Sequence, residues 1–210
     1  MITIVNYGMG NLGSILNMLK KIGAQAEITS DLDKVARAER LILPGVGAFD
    51  NGMKNLESMG LVEALNEAVA KRGKPILGLC LGMQLFTRSS EEGVRLGLGW
   101  IDARTVRFNF GEKDPSLKVP HMGWNRVVPK KDHYIFRNPE NRDLRFYFAH
   151  SYHVVPSKES DILAEAVYGY TFVAAIQHDN ILGVQFHPEK SHRYGLNLLK
   201  NYATGQSVAG

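Results

Sequence analysis

The only cysteine of the chain, Cys80, stands between two glycines directly after a short apolar run. Residues 76–79 read as a buried strand and residues 81–88 as a helix. This Gly-x-Cys-x-Gly pattern is typical of a nucleophile elbow, a sharp strand-to-helix turn that presents one side chain at its tip. Glycine is needed on both sides because the strand and the helix nearly touch. Free N–H groups at the helix start favour a thiolate, so the pattern predicts a nucleophile, although free cysteines are also common as buried structural residues.

A cysteine nucleophile needs a base within hydrogen-bond reach, and a third group usually orients that base. Among the seven histidines, His187 ends an apolar strand (181–186) that can lie beside the elbow strand. Pro188 fixes the following turn, so Glu189 can point back and accept the second N–H of the ring. We therefore expect Cys80, His187 and Glu189 to form a thiol-activating triad. The single cysteine and the scattered histidines show no pair at ligand spacing, so no metal site is expected.

A glycine-rich loop follows a third predicted strand at residues 40–43. Gly45 and Gly47 flank Val46, so the peptides on either side of Val46 can rotate with little steric cost. At the carboxyl end of a strand beside the elbow, this loop could supply N–H groups to an oxyanion. If Cys80 did not end the next strand, an ordinary strand-to-helix turn would be the preferred interpretation.

The order of the predicted elements indicates an α/β fold. Strands and helices alternate up to residue 88, which predicts a three-layer, open, mostly parallel sheet flanked by helices, of the flavodoxin-like type. Beyond residue 88, strands follow one another without long helices, so we expect a mixed or antiparallel extension of the sheet. These strands are expected at 96–108, 125–128, 144–149, 152–155, 162–166 and 172–177. No linker breaks the chain, and residues 1–210 are expected to form a single domain.

Composition and charge exclude several classes of function. The formal charge is only +4, and no dense Lys/Arg block with interleaved aromatic residues is present, so no nucleic-acid partner is expected. No apolar run approaches the ~20 residues that cross a bilayer, so no membrane partner is expected either. The first residues lack the features of a signal peptide, and one cysteine fits a reducing compartment. The expected location is therefore cytoplasmic.

A G-x-G-x-x-G pattern is formally present at Gly8, Gly10 and Gly13, after the first predicted strand. A dinucleotide site would also need an acidic residue at the end of the second strand, and none stands there. We therefore interpret these glycines as a tight turn with close helix packing.

Six short stretches of sequence stand in a specific order along the chain. They are residues 7–12, 44–47, 78–84, 120–125, 146–152 and 187–189. The second, third and last resemble the signature of class I, triad-type glutamine amidotransferases. All six together resemble the glutaminase subunit of imidazole glycerol phosphate synthase, along essentially the whole chain.

The resemblance implies a reaction on L-glutamine without a cofactor or a metal. Cys80 would attack the side-chain amide and form a glutamyl thioester. His187, oriented by Glu189, would deprotonate the thiol and then protonate the leaving ammonia. The oxyanion would be held by the N–H of Leu81 and by a peptide N–H of the loop Gly45, Val46 and Gly47. The amino-acid end of glutamine would be held by Gln84, His150, Ser151 and Tyr152.

The resemblance also implies a partner. Ammonia would pass to a cyclase partner that folds as a (β/α)8 barrel, within a heterodimer of the histidine biosynthesis pathway. The products there would be imidazole glycerol phosphate and an aminoimidazole-carboxamide ribonucleotide. The residues that resemble family positions near the partner are Met122, Gly123, Trp124 and Lys190.

Three alternatives stay open at the level of sequence. Asn6 departs from the aspartate more common in the family, and residues 85–93 with 97–101 resemble a paralogous branch. Glutaminases of that branch feed an acetamidino-sugar amidotransferase of surface polysaccharide synthesis. A cysteine peptidase or deglycase-like hydrolase shares a cysteine elbow, but Gln84 and the His-x-Glu spacing argue against it. A non-catalytic scaffold is disfavoured because the whole triad is present.

Overall fold

The computed structural model describes residues 1–111, 117–137 and 143–205. Its parallel strands are short and lie side by side in the order β2 (Ala26–Thr29), β1 (Ile2–Val5), β3 (Leu41–Leu43), β4 (Ile76–Leu79). The last three strands are almost entirely apolar and are buried along their whole length. Such continuous burial is typical of parallel strands that are covered by helices on both faces.

The helices divide between the two faces of this sheet. They are α1 (Leu12–Lys21), α2 (Leu32–Ala36), α3 (Phe49–Ser58), α4 (Leu61–Asn66), α5 (Leu81–Gln84) and α6 (His192–Thr204). Helices α1 and α6 pack into one apolar cluster, and α2 to α5 pack into a second cluster on the other side. The predicted three-layer arrangement is therefore confirmed. None of the helices in the described ranges is long and apolar enough to cross a membrane.

The rest of the chain extends this sheet. Its strands are β5 (Ser89–Ser90), β6 (Ala103–Arg107), β7 (His121–Arg126), β8 (Val128–Pro129), β9 (Arg145–His150), β10 (Tyr152–Pro156), β11 (Ile162–Tyr168), β12 (Tyr170–His178) and β13 (Ile181–Val184). Strand β13 is parallel to β4, whereas β12 runs antiparallel to both β13 and β10. The mixed extension is thus confirmed, and the main sheet has eleven strands among the described residues.

Several details of the expected pattern were wrong. The strand expected at 96–108 spans only β6, and the one expected at 125–128 is divided between the end of β7 and β8. Strands β7 and β9 pair with each other in a separate two-stranded sheet, whose Phe146 and Phe148 pack into an apolar cluster that the main sheet shares. The helix after Cys80 spans four residues instead of extending to residue 88. It stops early because the N–H groups of Phe86 and Thr87 bond to carbonyls only three residues back, and later segments of the chain take up the next carbonyls. A helix this short has only a small macrodipole, so any stabilisation of the sulfur by this helix comes from its first N–H groups.

Candidate active site

Three loops meet where strands β3, β4 and β13 end. Leu43 of β3 lies opposite Gly78 of β4, and Val184 of β13 lies opposite Leu79 on the other side. Because the strands are parallel, the residues that follow them emerge at the same edge of the sheet. The glycine-rich loop, Cys80 and the segment leading to His187 are therefore neighbours, as the sequence predicted.

Cys80 occupies a strained turn between β4 and α5. Its φ of +52° lies in a region that residues other than glycine rarely adopt, and its ψ is −106°. Its N–H donates to the carbonyl of Val184 at 2.8 Å, and the side chain is only 6% exposed. A Cβ on Gly82 would come within 1.9 Å of the Leu43 carbonyl oxygen, and one on Gly78 within 2.5 Å of Phe86. Only glycine, which has no Cβ, leaves room for these close approaches.

His187 connects Cys80 to Glu189. Its Nδ1 donates to Oε1 of Glu189 at 2.8 Å, and its ring is close enough to the Cys80 side chain for the two groups to interact electrostatically. Burial of the ring lowers the pKa of His187, but the hydrogen bonds and charges of Cys80 and Glu189 outweigh burial and raise it to about 10. The ring is therefore an imidazolium near neutral pH, a form that stabilises an adjacent thiolate.

Ser191 fixes the backbone that carries His187, a role that the sequence analysis missed. Its hydroxyl donates to the His187 carbonyl at 2.6 Å and accepts the N–H of Tyr147 at 3.0 Å. The N–H of His187 in turn donates to the Tyr147 carbonyl at 2.9 Å. The only sequence signal for Ser191 was its place directly after the His-Pro-Glu-Lys stretch.

The glycine-rich loop lies next to Leu81, but it presents a carbonyl oxygen to Leu81 rather than an N–H group. The N–H of Leu81 donates to the Gly45 carbonyl at 3.4 Å. The carbonyl of Pro44 is held at 2.6 Å by the hydroxyl of buried Tyr7. Gly47 has a φ of +125°, and Val46 is about half exposed. An oxyanion could therefore reach Leu81 only after the Gly45 carbonyl turns away.

A cleft of about 260 Å³ opens above Cys80. Its walls include all four residues predicted to hold the amino-acid end of the substrate, together with three of the four residues predicted for the oxyanion; Gly45 does not line it. The predicted residues that line it are Gln84, His150, Ser151, Tyr152, Val46, Gly47 and Leu81. Over the three described ranges, no cluster of His, Cys, Asp or Glu side chains is placed to hold a metal ion.

Comparison with known proteins identifies the family. The family model described as glutamine amidotransferase class-I matches residues 3–204. The chain belongs to this family. It is 50% identical over 202 residues to imidazole glycerol phosphate synthase subunit HisH 2 of Pseudomonas aeruginosa, covering 96% of this chain and 98% of that protein. It is 47% identical over 203 residues to subunit HisH of Wolinella succinogenes, with coverage of 96% and 98%.

Solved structures agree with the fold of this amidotransferase. The structure of PurLQS from Thermotoga maritima has a TM-score of 0.70 at 17% identity, with 96% coverage of both chains. A glutamine amidotransferase from the same organism has a TM-score of 0.62 at 19% identity, covering 96% of this chain and 81% of that one. At these identities the likeness concerns the fold alone, and it confirms the predicted architecture.

Gln84 of the amidotransferase is oriented by two acceptors. Its Nε2 donates to the Tyr152 carbonyl and to Oε1 of Gln185, each at 3.1 Å. Both N–H groups are thereby used within the protein. The amide oxygen of Gln84 is what remains to meet a ligand that donates hydrogen bonds, such as an ammonium group.

His150 lies under the cleft as one of two linked neutral histidines. Burial lowers the pKa of His150 to about 3 and that of His121 to about 4. The Nδ1 of His150 donates to the Tyr152 carbonyl at 2.7 Å, and its Nε2 lies 3.0 Å from Nδ1 of His121. His121 lies in turn 3.3 Å from the Asn125 side chain. This hydrogen-bonded chain links the cleft to β7, and the sequence analysis missed His121.

The residues predicted to face a partner lie on the outer side of β7 and beside it. Met122 is 63% exposed and Trp124 is 46% exposed, whereas His121 on the same strand is buried. Gly123 lies between them with a φ of +133°. The Nζ of exposed Lys190 stands 5.7 Å from the centre of the Tyr147 ring. These residues form one exposed surface next to the triad loop.

Glu92 is the acidic residue of the cleft wall, and the sequence analysis missed it. Its Oε2 accepts the N–H of Phe49 at 2.8 Å, which anchors the side chain beside Val46 and Tyr152. A carboxylate fixed in the wall of this cleft suits the α-ammonium of an amino acid.

We expect Glu92→Gln to raise the KM for glutamine about ten- to hundredfold, because a charge-assisted hydrogen bond is lost while length and volume are kept. The kcat should fall far less, since Glu92 does not contact the reacting atoms. Steady-state kinetics measures both constants, and Glu91→Gln, on the outer surface next to it, is the matched control. An unchanged KM would show that the ammonium does not bind at Glu92.

Proposed function

We propose that this chain is the glutaminase subunit of an imidazole glycerol phosphate synthase. The observation that carries the proposal is the grouping of Cys80, His187 and Glu189, in which Glu189 orients His187, His187 interacts with Cys80, and Cys80 lines a cleft of amino-acid size. The names of the relatives at about half identity support the pathway. We also propose that residues 1–210 act as one domain. The cytoplasmic location stays a prediction.

The reaction would begin with attack of the Cys80 sulfur on the side-chain amide carbon of L-glutamine. The carbon–nitrogen bond breaks as the imidazolium of His187 gives its proton to the leaving ammonia, and a glutamyl thioester remains. Neutral His187 then takes a proton from water, which attacks the thioester and releases glutamate. Glu189 keeps the ring oriented through both steps. Gln84, His150, Ser151 and Tyr152 would hold the amino-acid end of the substrate.

Each tetrahedral intermediate needs hydrogen-bond donors at its oxyanion. We propose the N–H of Leu81 and a peptide N–H of the glycine-rich loop for this role. In the present arrangement the Gly45 carbonyl accepts the Leu81 N–H. The peptide between Gly45 and Val46 must therefore rotate before the site becomes fully competent, and glycine on either side of Val46 makes this rotation feasible.

The ammonia would pass to a cyclase partner with a (β/α)8 barrel, in a heterodimer. We propose that the partner binds the exposed surface that includes Met122, Gly123, Trp124 and Lys190. That partner would use ammonia to form imidazole glycerol phosphate and an aminoimidazole-carboxamide ribonucleotide. The surface lies next to the triad loop, so ammonia released from Cys80 has a short path to it.

We expect the isolated chain to hydrolyse glutamine slowly and the ligand-loaded partner to accelerate it about a hundredfold or more. One missing oxyanion donor costs ~10²–10³ in kcat, which sets this magnitude. Glutamate release is measured with the chain alone, with the unloaded partner and with the loaded partner. The Cys80→Ala variant with the loaded partner is the control. Equal rates with and without the partner would contradict the rotation of the Gly45–Val46 peptide.

The paralogous role is a second candidate, favoured by residues 85–93 and 97–101. Glutamine would be hydrolysed in the same way, and only the ammonia acceptor would differ. Pairing the chain in turn with a cyclase and with an acetamidino-sugar amidotransferase distinguishes the two. The partner that forms a complex and accelerates glutamine hydrolysis is the physiological one.

A further inference from the structure

Gln185 is a fully buried polar residue immediately beside the nucleophile. It follows β13, and because Val184 lies opposite Leu79, the next position along brings Gln185 alongside Cys80. Its backbone N–H donates to the Ala174 carbonyl at 2.9 Å, which holds it at the end of the sheet. The fold therefore places this side chain at the sulfur through strand register.

The side chain of Gln185 uses both ends of its amide on residues of the site. Its Nε2 donates to the Cys80 sulfur at 3.7 Å, and its Oε1 accepts from Nε2 of Gln84 at 3.1 Å. Neither contact supports a helix, a strand or a loop. An amide that served only the stability of the core would be expected to satisfy backbone groups, so these contacts point to the chemistry.

The contacts of Gln185 determine the orientation of both amides. The NH₂ end of Gln185 faces the sulfur of Cys80, which accepts a hydrogen bond, and its oxygen faces Gln84. That oxygen requires a donor, so Gln84 presents its own NH₂ to Gln185. The oxygen of Gln84 is then left for the ligand. The hydrogen bonds from Cys80 through Gln185 to Gln84 thereby determine which atom of Gln84 faces the substrate cleft.

We propose that Gln185 is a catalytic residue, whose amide N–H stabilises the sulfur of Cys80 and whose amide oxygen fixes the orientation of Gln84. Gln185 hydrogen-bonds to the sulfur with which His187, two residues further on, interacts electrostatically. His187 exchanges protons, whereas Gln185 only donates a hydrogen bond and keeps the thiolate aligned. This inference deepens the proposed function and rests on it.

Gln185→Met keeps the length of the side chain but removes both contacts. With the loaded partner, we expect kcat to fall about ten- to hundredfold, the loss expected for a hydrogen bond to a charged group. The KM for glutamine should also rise, because Gln84 loses its orienting acceptor. Gln177→Met is the matched control, since Gln177 lies in neighbouring β12 opposite Leu182, and it should leave both constants unchanged.

Gln185→Glu supplies a readout that a purely structural role would not change. The neutral carboxyl can donate to the sulfur, whereas the carboxylate cannot and repels it. The activity of this variant relative to the parent should therefore rise as the pH is lowered. A ratio independent of pH, or parental kcat in a folded Gln185→Met variant, would overturn the proposal.

Alkylation of Cys80 separates this inference from the proposed function. Because the chain has one cysteine, iodoacetamide reports on that sulfur alone, whether or not glutamine is a substrate. We expect Gln185→Met to be alkylated about tenfold more slowly than the parent at neutral pH. If the parent hydrolyses no glutamine but this slowing is seen, only the proposed function fails. An unchanged alkylation rate would contradict the role of Gln185 at the sulfur.

Discussion

Replacement of Cys80 by alanine is expected to abolish glutamine hydrolysis, with a loss of at least ~10⁴-fold in kcat. The physical reason is that His187 then has no thiol beside it to activate. Glutamate release in the presence of the loaded partner measures the loss. The fold should persist, since the side chain is small and its strained backbone is held by the N–H bond to Val184.

Cys80→Gly is the matched variant for this experiment. It should be equally inactive, but glycine adopts a φ of +52° without the strain that a Cβ brings. Relief of about 1–3 kcal/mol, less the ~0.5–1 kcal/mol entropic cost of glycine, should leave Cys80→Gly more stable than Cys80→Ala. Thermal unfolding compares the two. Equal thermal midpoints would show that the elbow is not strained, and residual hydrolysis in both variants would remove Cys80 from the mechanism.

Gly82→Ala is expected to destabilise the protein by about 3 kcal/mol or more. The added Cβ would lie 1.9 Å from the carbonyl oxygen of Leu43, a backbone atom inside the sheet that cannot move aside. Either β3 separates from the elbow or the turn opens, and in both cases Cys80 leaves its position beside His187. Chemical denaturation measures the free energy of unfolding.

Gly13→Ala is the control for the Gly82 substitution. Gly13 lies in helix α1, is exposed and has no atom within 4 Å of an added Cβ. Alanine should therefore raise the free energy of unfolding by about 0.5–1 kcal/mol through helix propensity. If both substitutions changed the free energy of unfolding equally, the close approach to Leu43 would not be the reason that glycine is required at position 82. The same absence of contacts argues against close helix packing as the reason for Gly13.

The grouping of Cys80, His187 and Glu189 could be predicted from sequence because Cys80 directly follows β4 and His187 comes three residues after β13. Apolar runs identified β4 and β13, and parallel strands in one sheet bring the residues at their carboxyl ends together. Cys80 and His187 therefore needed only two correct strands. The three-layer fold was predictable for the same reason, since alternation of strands and helices leaves few topologies open.

Glu92 and His121 could not be predicted because they reach the site through contacts between distant segments, whereas Gln185 had a signal that was overlooked. Glu92 follows a two-residue strand that carries no periodic signal, and it is anchored by Phe49, far away in the chain. Gln185 interrupts an apolar run with a polar residue, and this interruption was the available signal. His121 became recognisable only through its hydrogen bond with His150.

The direction of the Gly45 carbonyl could not be predicted from the sequence either. Glycine allows both orientations of the following peptide at similar cost, so the residue types predicted rotation without predicting which state is populated. In the structure that carbonyl accepts the Leu81 N–H. Under the proposed function, the occupied N–H of Leu81 is the arrangement expected of an enzyme that waits for its partner.

Covalent labelling of Cys80 tests the central claim most directly. The chain, together with its loaded partner, is incubated with a diazo-ketone analogue of glutamine, and the site of modification is located by mass spectrometry. The glutaminase mechanism predicts a single adduct on Cys80, formed more slowly when glutamine is present and absent in Cys80→Ala. An unmodified Cys80, or an adduct whose rate glutamine does not affect, would contradict it.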